Sequence, residues 1–291
     1  MTLMKQKILK LLGCISAVVM LMMLGTGLYL WTHITNEEIT TCYYEVDAGF
    51  PDSVRIVVLA DLHEKEFGPG NEALIDAVSS LDPDIVCMVG DMQNRDDENP
   101  DIVLHLVSAL AEKYPVYFCY GNHEDSWQSN FGRSFGQLMT NAGAVVLDGE
   151  YVDTALKGKA VRIGGFMGYY RFTGMLKTED PGSYNRFFDA FEDTDRYKIL
   201  LNHIPTQWID WGHMDDFDVD LVFCGHYHGG QMVLPFVGPL YVPYIGLRPP
   251  YVKGMFEGEK ATVILSAGLG NEYWFVPRVN NPPELTVVDL N

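Results

Sequence analysis

Five short apolar runs, rich in residues that favour strands, each stop at a polar group with an oxygen or an imidazole to offer. Residues 54–60 lead into Asp61-Leu62-His63, residues 84–89 into Gly90-Asp91, and residues 116–120 into Gly121-Asn122-His123-Glu124. Residues 197–201 deliver Asn202-His203, and residues 221–224 run into Gly225-His226-Tyr227-His228-Gly229-Gly230-Gln231. A strand alternates its side chains between two faces, but past its end the chain loops, so His226 and His228 can point the same way. The glycines around them let backbone approach a ligand closely. Open α/β sheets place their sites at the carboxyl ends of strands, where all five clusters fall. One H-x-H pair would be weak evidence. Five clusters of one chemical type in one chain are not.

Between these runs lie helical patterns. Residues 71–80 carry Ala73, Leu74, Ala77 and Val78 on one side, and residues 101–114 carry Ile102, Leu106 and Leu110. The β-α-β-α-β alternation predicts a largely parallel sheet with right-handed crossovers. Further helices are expected at 131–141, 184–191 and, as a short piece, 205–211. Further strands are expected at 41–46, 144–147, 161–167, 261–266 and 285–290. Residues 234–250 hold five prolines among aromatics and must be irregular, either facing a substrate or packed on the surface. No linker divides the chain after residue 50, so one mixed α/β domain is expected.

The amino terminus reads differently. Residues 1–10 are basic, and residues 11–31 contain no charge, which reaches the ~20 residues a helix needs to cross a bilayer. A cleaved signal would have a shorter apolar region and a better cleavage site than Gly25-Thr26-Gly27. Leu11-Leu12-Gly13-Cys14 mimics a lipoprotein box, but the apolar region follows it instead of preceding it. The expectation is an uncleaved anchor over 1–35, transmembrane about 11–31, a tether over 36–50 and the main domain over 51–291. Lys5, Lys7 and Lys10 precede the span and Glu37 and Glu38 follow it. The positive-inside rule then predicts a single-pass protein of the cell membrane with its main domain extracytoplasmic.

Charge narrows the partners. The chain carries 39 acidic and 20 basic residues, and all but three of the basic ones lie beyond the span with all of the acidic ones. Such a surface lacks the basic stripe that phosphate neutralisation demands, so nucleic acid is not expected as a partner. Five cysteines form no C-x-x-C pair and no disulfide framework. Cys87, Cys119 and Cys224 sit inside apolar strands and read as small buried hydrophobes.

The order D-x-H, G-D, G-N-H-E, N-H, G-H-x-H resembles the calcineurin-like metallophosphoesterase superfamily, over residues 54–290. It is closest to a bacterial, membrane-associated branch whose last histidine motif reads G-H-T-H-G-G-Q. That branch ends in a glycine turn, an Arg and N-P-P-E, here Gly268 and Gly270, Arg278 and Asn281-Pro282-Pro283-Glu284. The resemblance implies an α/β fold, a four-layer α/β/β/α metallophosphoesterase sandwich, preceded by the one N-terminal transmembrane helix. It implies two divalent metal ions, one held by Asp61, His63 and His228, the other by Asn122, His203 and His226, with Asp91 bridging. Histidine with carboxylate suits Mn, Fe, Zn or Ni. Two such ions can neutralise a phosphate ester, generate a bridging hydroxide and align an in-line displacement. His123 would face the substrate, stabilising the developing charge or protonating the leaving oxygen.

The implied function is a phosphoesterase acting on phosphodiester or pyrophosphate bonds, with envelope or lipid-linked phosphates as substrates suggested by the anchor. The alternatives are a phosphomonoesterase of the same fold, or a non-catalytic metal-stabilised scaffold, against which the complete ligand set argues. Glu124 stands where many relatives have Asp, and Tyr227 where they have Thr. Arg278 and Arg248 are phosphate contacts or surface or structural residues, His105 reads as structural or exposed, and His213 as structural.

Overall fold

The computed structural model describes residues 2–32, 34, 38–167, 182–242, 245–271 and 276–291. Thr2–Thr32 forms one long helix, α1. Its stretch Lys5–Tyr29 is long and apolar enough to cross a membrane, and none of it is buried against the rest of the chain.

The first sheet contains β1 (Thr40–Val46), β2 (Val54–Leu59), β3 (Ile85–Val89), β4 (Val116–Cys119) and β5 (Val145–Leu147), interleaved with α2 (Glu72–Ser80), α3 (Asp101–Ala111), α4 (Asn122–Phe131) and α5 (Phe135–Asn141). The chain then builds β6 (Glu150–Leu156), β7 (Lys159–Gly165), α6 (Gly182–Glu192), β8 (Tyr197–Leu201) and β9 (Leu221–Cys224). Two small hairpins follow, β10 (Val233–Leu234) with β11 (Gly238–Pro239) and β12 (Tyr241–Val242) with β13 (Gly246–Leu247). The last strands are β14 (Gly254–Glu257), β15 (Thr262–Leu265) and β16 (Glu284–Leu290).

The order β1-β16-β2-β3-β4-β5 makes one six-stranded sheet, and β14-β15-β9-β8-β7-β6 makes the other. Within them β2, β3, β4 and β5 run parallel, as do β7, β8, β9 and β15. The strand alternation assigns each face. Val57 and Leu59 of β2 pack with Leu74, Val78, Leu106, Leu110 and Trp127 of the helices. Ile56 and Val58, one residue out of step, meet Ile163, Ile199, Leu201 and Phe223 of the second sheet. On the far side Phe187, Phe188 and Phe191 of α6 cover Leu200, Val222 and Leu265. The layers are therefore helices, sheet, sheet and helix. Burial on both faces explains why these strands read as unbroken apolar runs.

Most expected elements are present, but the short helix expected at 205–211 is only a 3-10 turn over Pro205–Gln207, and three further differences stand out. Residues 122–131, which carry few apolar positions, form α4. Two edge strands, β6 and β14, also lack an apolar run, because edge strands bury little. Residues 234–250 are not wholly irregular, since β10 to β13 fold within them.

Candidate metal centre

The ends of β2, β3 and β4 meet the ends of β8 and β9 along one edge of the sandwich. Beyond β2 and β3 the backbones stay paired, with Asp61 N–H donating to Gly90 O at 3.0 Å and His63 N–H to Asp91 O at 3.1 Å. Across the two sheets, His226 N–H donates to the Asp61 carboxylate at 3.0 Å, and His203 Nδ1 lies 2.8 Å from Val89 O. A carbonyl only accepts, so His203 Nδ1 keeps a proton and Nε2 is the nitrogen that can turn to a metal once its own proton is displaced. That Nε2 is 3.1 Å from Asp91 Oδ2.

Five of these residues sit in the left-handed backbone region: Asp61 (φ 51°), His63 (49°), Asp91 (52°), His226 (75°) and His228 (48°). For side chains other than glycine this costs roughly 1–2 kcal/mol each, and such strain collects at functional sites. The motif glycines permit the crowding. Gly90 has φ 71°, and a Cβ there would lie 2.5 Å from the Gly121 nitrogen, while one at Gly121 would land on the Asp91 carboxylate.

Three groups of buried side chains converge, each with its potential ligand atoms within 4.8 Å of one another: Asp61, His63 and His228; His63, Asp91 and His123; and Asp91, His203 and His226. The rings interlock, with His63 stacked on His228 at 4.9 Å, edge-on to His123 at 4.6 Å, and His203 edge-on to His226 at 5.1 Å between centroids. Asn122 opens α4 beside them, directly after Gly121. All eight residues singled out in the sequence thus lie at this one edge.

Their electrostatics suit a cation. Burial would raise Asp91, but His203, His123 and His63 hold it well below the usual carboxylate range. Burial raises Asp61 to about 7, against the pull of His203. Burial lowers His203, but Asp91 overrides it and brings the ring up to about 9. Burial, with His63 and Arg278 nearby, keeps His228 well below its ordinary value and therefore neutral. Its Nδ1 is buried with no hydrogen-bond partner. An ionised carboxylate between imidazoles, one with an unsatisfied buried nitrogen, is a donor set that fits divalent metal.

Proton release follows from the same values. Metal must displace the protons on Asp61 and His203, so binding to the metal-free chain is expected to release protons at pH 7. The apparent affinity should tighten as pH rises through 7 toward 9, because each group loses its competing proton over that window. Calorimetry in buffers of different ionisation enthalpy reads this directly, and pH-independent binding would contradict it.

Asn94 and Arg95 beside the centre carried no signal in the sequence, and the other flanking residues gave no sign of their contacts. Asn94 Oδ1 lies 2.9 Å from His63 Nδ1, which orients that ring. Glu124, fully buried, accepts the N–H groups of Asp91, Gln93 and Gly121 at 2.8–2.9 Å, so it fixes the loop that carries Asp91. Arg95 meets both ring nitrogens of His123, its Nη2 2.6 Å from Nε2 and its backbone nitrogen 3.3 Å from Nδ1. Tyr227 turns away from the centre into the core under the second sheet, donating its hydroxyl to the exposed Asp210. Arg278 is a structural clamp. It is fully buried and donates to Gly270 O at 2.7 Å and Ala267 O at 2.9 Å. Arg248 and His105 are exposed, and His213 pairs with Asp216 at the surface.

The sequence model of the calcineurin-like phosphoesterase family matches residues 54–230, which span four of the five strand-end motifs in full and the fifth through Gly230. The chain belongs to that family. It is 28% identical over 240 residues to the phosphodiesterase YaeI of Escherichia coli, covering 81% of this chain and 82% of the relative. It is 28% identical over 274 residues to the uncharacterized metallophosphoesterase YkuE of Bacillus subtilis, covering 91% and 89%. The UDP-2,3-diacylglucosamine pyrophosphatase LpxG of Chlamydia trachomatis is 23% identical over 284 residues, covering 81% and 83%. The chain is a metal-dependent hydrolase of phosphate esters, and divalent metal is its cofactor class.

Proposed function

We propose that this hydrolase is membrane-anchored and cleaves phosphodiester or pyrophosphate bonds with two divalent ions. Asp61, His63 and His228 would hold one, and Asn122, His203 and His226 the other, with Asp91 between them. The observation that carries this reading is the place of Asp91 in two of the three ligand groups, with its carboxylate ionised. Bound there, the ions would neutralise the phosphate and activate a water for in-line displacement. The chain's own groups do the rest. Asn94 and Val89 O orient two of the imidazoles, Glu124 fixes the Asp91 loop, and His123 gives a proton to the leaving oxygen.

The bond type is supported by the names of the relatives, one a phosphodiesterase and one a pyrophosphatase. The anchor is supported by the bare apolar surface of α1. Residues 1–35 then form the anchor, 36–50 the connection, whose β1 joins the first sheet, and 51–291 the catalytic domain. The lysines on the amino side orient that domain outside the cytoplasm, facing envelope or lipid-linked phosphates.

The test is hydrolysis of bis-p-nitrophenyl phosphate and p-nitrophenyl phosphate by the full chain in detergent with Mn, Fe, Zn or Ni supplied in turn. Diester cleavage well above monoester cleavage is expected. A clear preference for the monoester would instead make it a phosphomonoesterase, and inactivity on both with metal bound would favour a binding scaffold.

A further inference from the structure

The strand-poor stretch after the last histidine motif is chemically unlike the rest of the protein. Between Asp220 and Glu257 there is no acidic residue, in a chain that carries 39 of them. Outside α1, five of the nine exposed large apolar side chains among the described residues fall between 236 and 251: Phe236, Val237, Tyr241, Leu247 and Tyr251. Phe236, at the turn of the first hairpin, is fully exposed, and Leu247, paired with Tyr241 in the second, is 81% exposed. A water-soluble surface has no reason to hold such tips bare.

Their neighbour supplies the reason. The residue leaving the apolar helix, Ile34, forms an antiparallel bridge with Val279, and Val279 forms a parallel bridge with Met232, at the base of the first hairpin. Asn280 ties the same three segments together, its Nδ2 donating to Val233 O at 2.8 Å and to the hydroxyl of Tyr29 at 2.5 Å. The apolar hairpins are therefore stitched to the end of the candidate span. They emerge where that span would meet the bilayer surface.

We propose that the two small hairpins, through their strands β10 to β13 and Phe236, form a second membrane contact, dipping Phe236 and Leu247 into the headgroup and acyl boundary. The occupant of this surface is a lipid bilayer. Exposed Tyr241 and Tyr251 have the amphipathic rings that favour that boundary, and exposed Arg248 can extend to lipid phosphate. The absence of carboxylates removes the repulsion that the rest of this acidic surface would meet at an anionic leaflet. The first hairpin begins five residues after His228, so a docked hairpin holds the metal centre close to the membrane and fixes its tilt. A single-span tether alone would leave that tilt free. The proposal rests on the reading of α1 as a membrane anchor.

Three single-reporter versions of the full chain separate the two readings. In each, Cys42→Ser removes the partly exposed thiol, and the buried Cys87, Cys119 and Cys224 stay. The first keeps native Cys14 in α1; the second carries Cys14→Ser with Phe236→Cys; the third carries Cys14→Ser with Glu150→Cys on an exposed edge. Each is labelled with nitrobenzoxadiazole in nanodiscs of phosphatidylcholine and phosphatidylglycerol, with and without doxyl-labelled lipid. Labels at 14 and 236 should lose roughly half their emission or more, as for groups at least 5–10 Å into the interface, while the label at 150 stays bright. Quenching at 14 but not at 236 overturns the hairpin contact and leaves the anchor standing. Quenching at neither removes both. A label at 236 shielded from aqueous iodide yet untouched by doxyl lipid would reveal a second copy as the occupant, which also overturns the proposal. Because the Phe236 side chain packs against nothing, cysteine there leaves the fold undisturbed.

Discussion

Replacing Asp91 with alanine is expected to lower diester hydrolysis by roughly 10³-fold or more, the upper end of the loss on removing one preorganised electrostatic group. The size follows from how much converges on this carboxylate. It takes part in two ligand groups, its Oδ2 lies 3.1 Å from His203 Nε2, and its Oδ1 accepts the His123 N–H at 2.8 Å. Its removal leaves two sets of imidazoles with no shared anion, so bound metal should fall with the rate. The companion Asp91→Asn separates charge from shape. It retains an acceptor for the His123 N–H and most of the volume, yet presents no negative charge to a cation. Both variants should therefore be nearly inactive, with Asn the more stable to heat. An alanine variant that keeps a full complement of metal by elemental analysis, and hydrolyses within tenfold of the parent, would remove Asp91 from the centre of the proposal.

Much of this was open to reading because the chemistry is local. Each ligand-bearing residue follows a strand buried on both faces, so an unbroken apolar run announces where the ligand will stand. The strand-end positions of Asp61, Asp91 and His203 needed no tertiary knowledge beyond the rule that sites gather at carboxyl ends. What could not be read was reached through space. Asn94 meets His63 and Arg95 meets His123 across segments about thirty residues apart in sequence, within an irregular stretch after Asp91 that has no periodicity. Glu124 was visible as part of G-N-H-E, where many relatives have Asp, but its partners were not. Its actual contacts run back to the Asp91 loop and to Gly121 at the start of α4. That same cap explains why the polar decapeptide from Asn122 is helical. Glu124 at the third helical position satisfies the first free amide, so the helix needs no apolar stripe to begin. Arg278 shows the opposite lesson. A charged residue near a glycine turn left phosphate contact and structural role both open, and full burial with three bonds to carbonyl oxygens makes it a brace for the loop that abuts Asp61.

The second large effect is expected at His123, and its form matters more than its size. His123→Ala should slow hydrolysis by roughly 10²–10⁴-fold, the range for loss of a positioned acid. The loss should depend on the leaving group. A p-nitrophenolate departs without a proton, so bis-p-nitrophenyl phosphate should suffer least, and phenyl or alkyl diesters progressively more. Metal content separates this role from ligation, because His63, Asp91 and His123 also form one of the converging groups. The contact that links residue 123 to Asp91 is a backbone N–H, which alanine retains. If the side chain acts on substrate, metal should stay bound while the rate falls with a steeper leaving-group dependence. If the side chain is instead a ligand, metal should leave and every substrate should lose the same factor. A uniform loss with metal still bound would point to the ring's packing against His63 at 4.6 Å, making His123 a positioning residue for that neighbour.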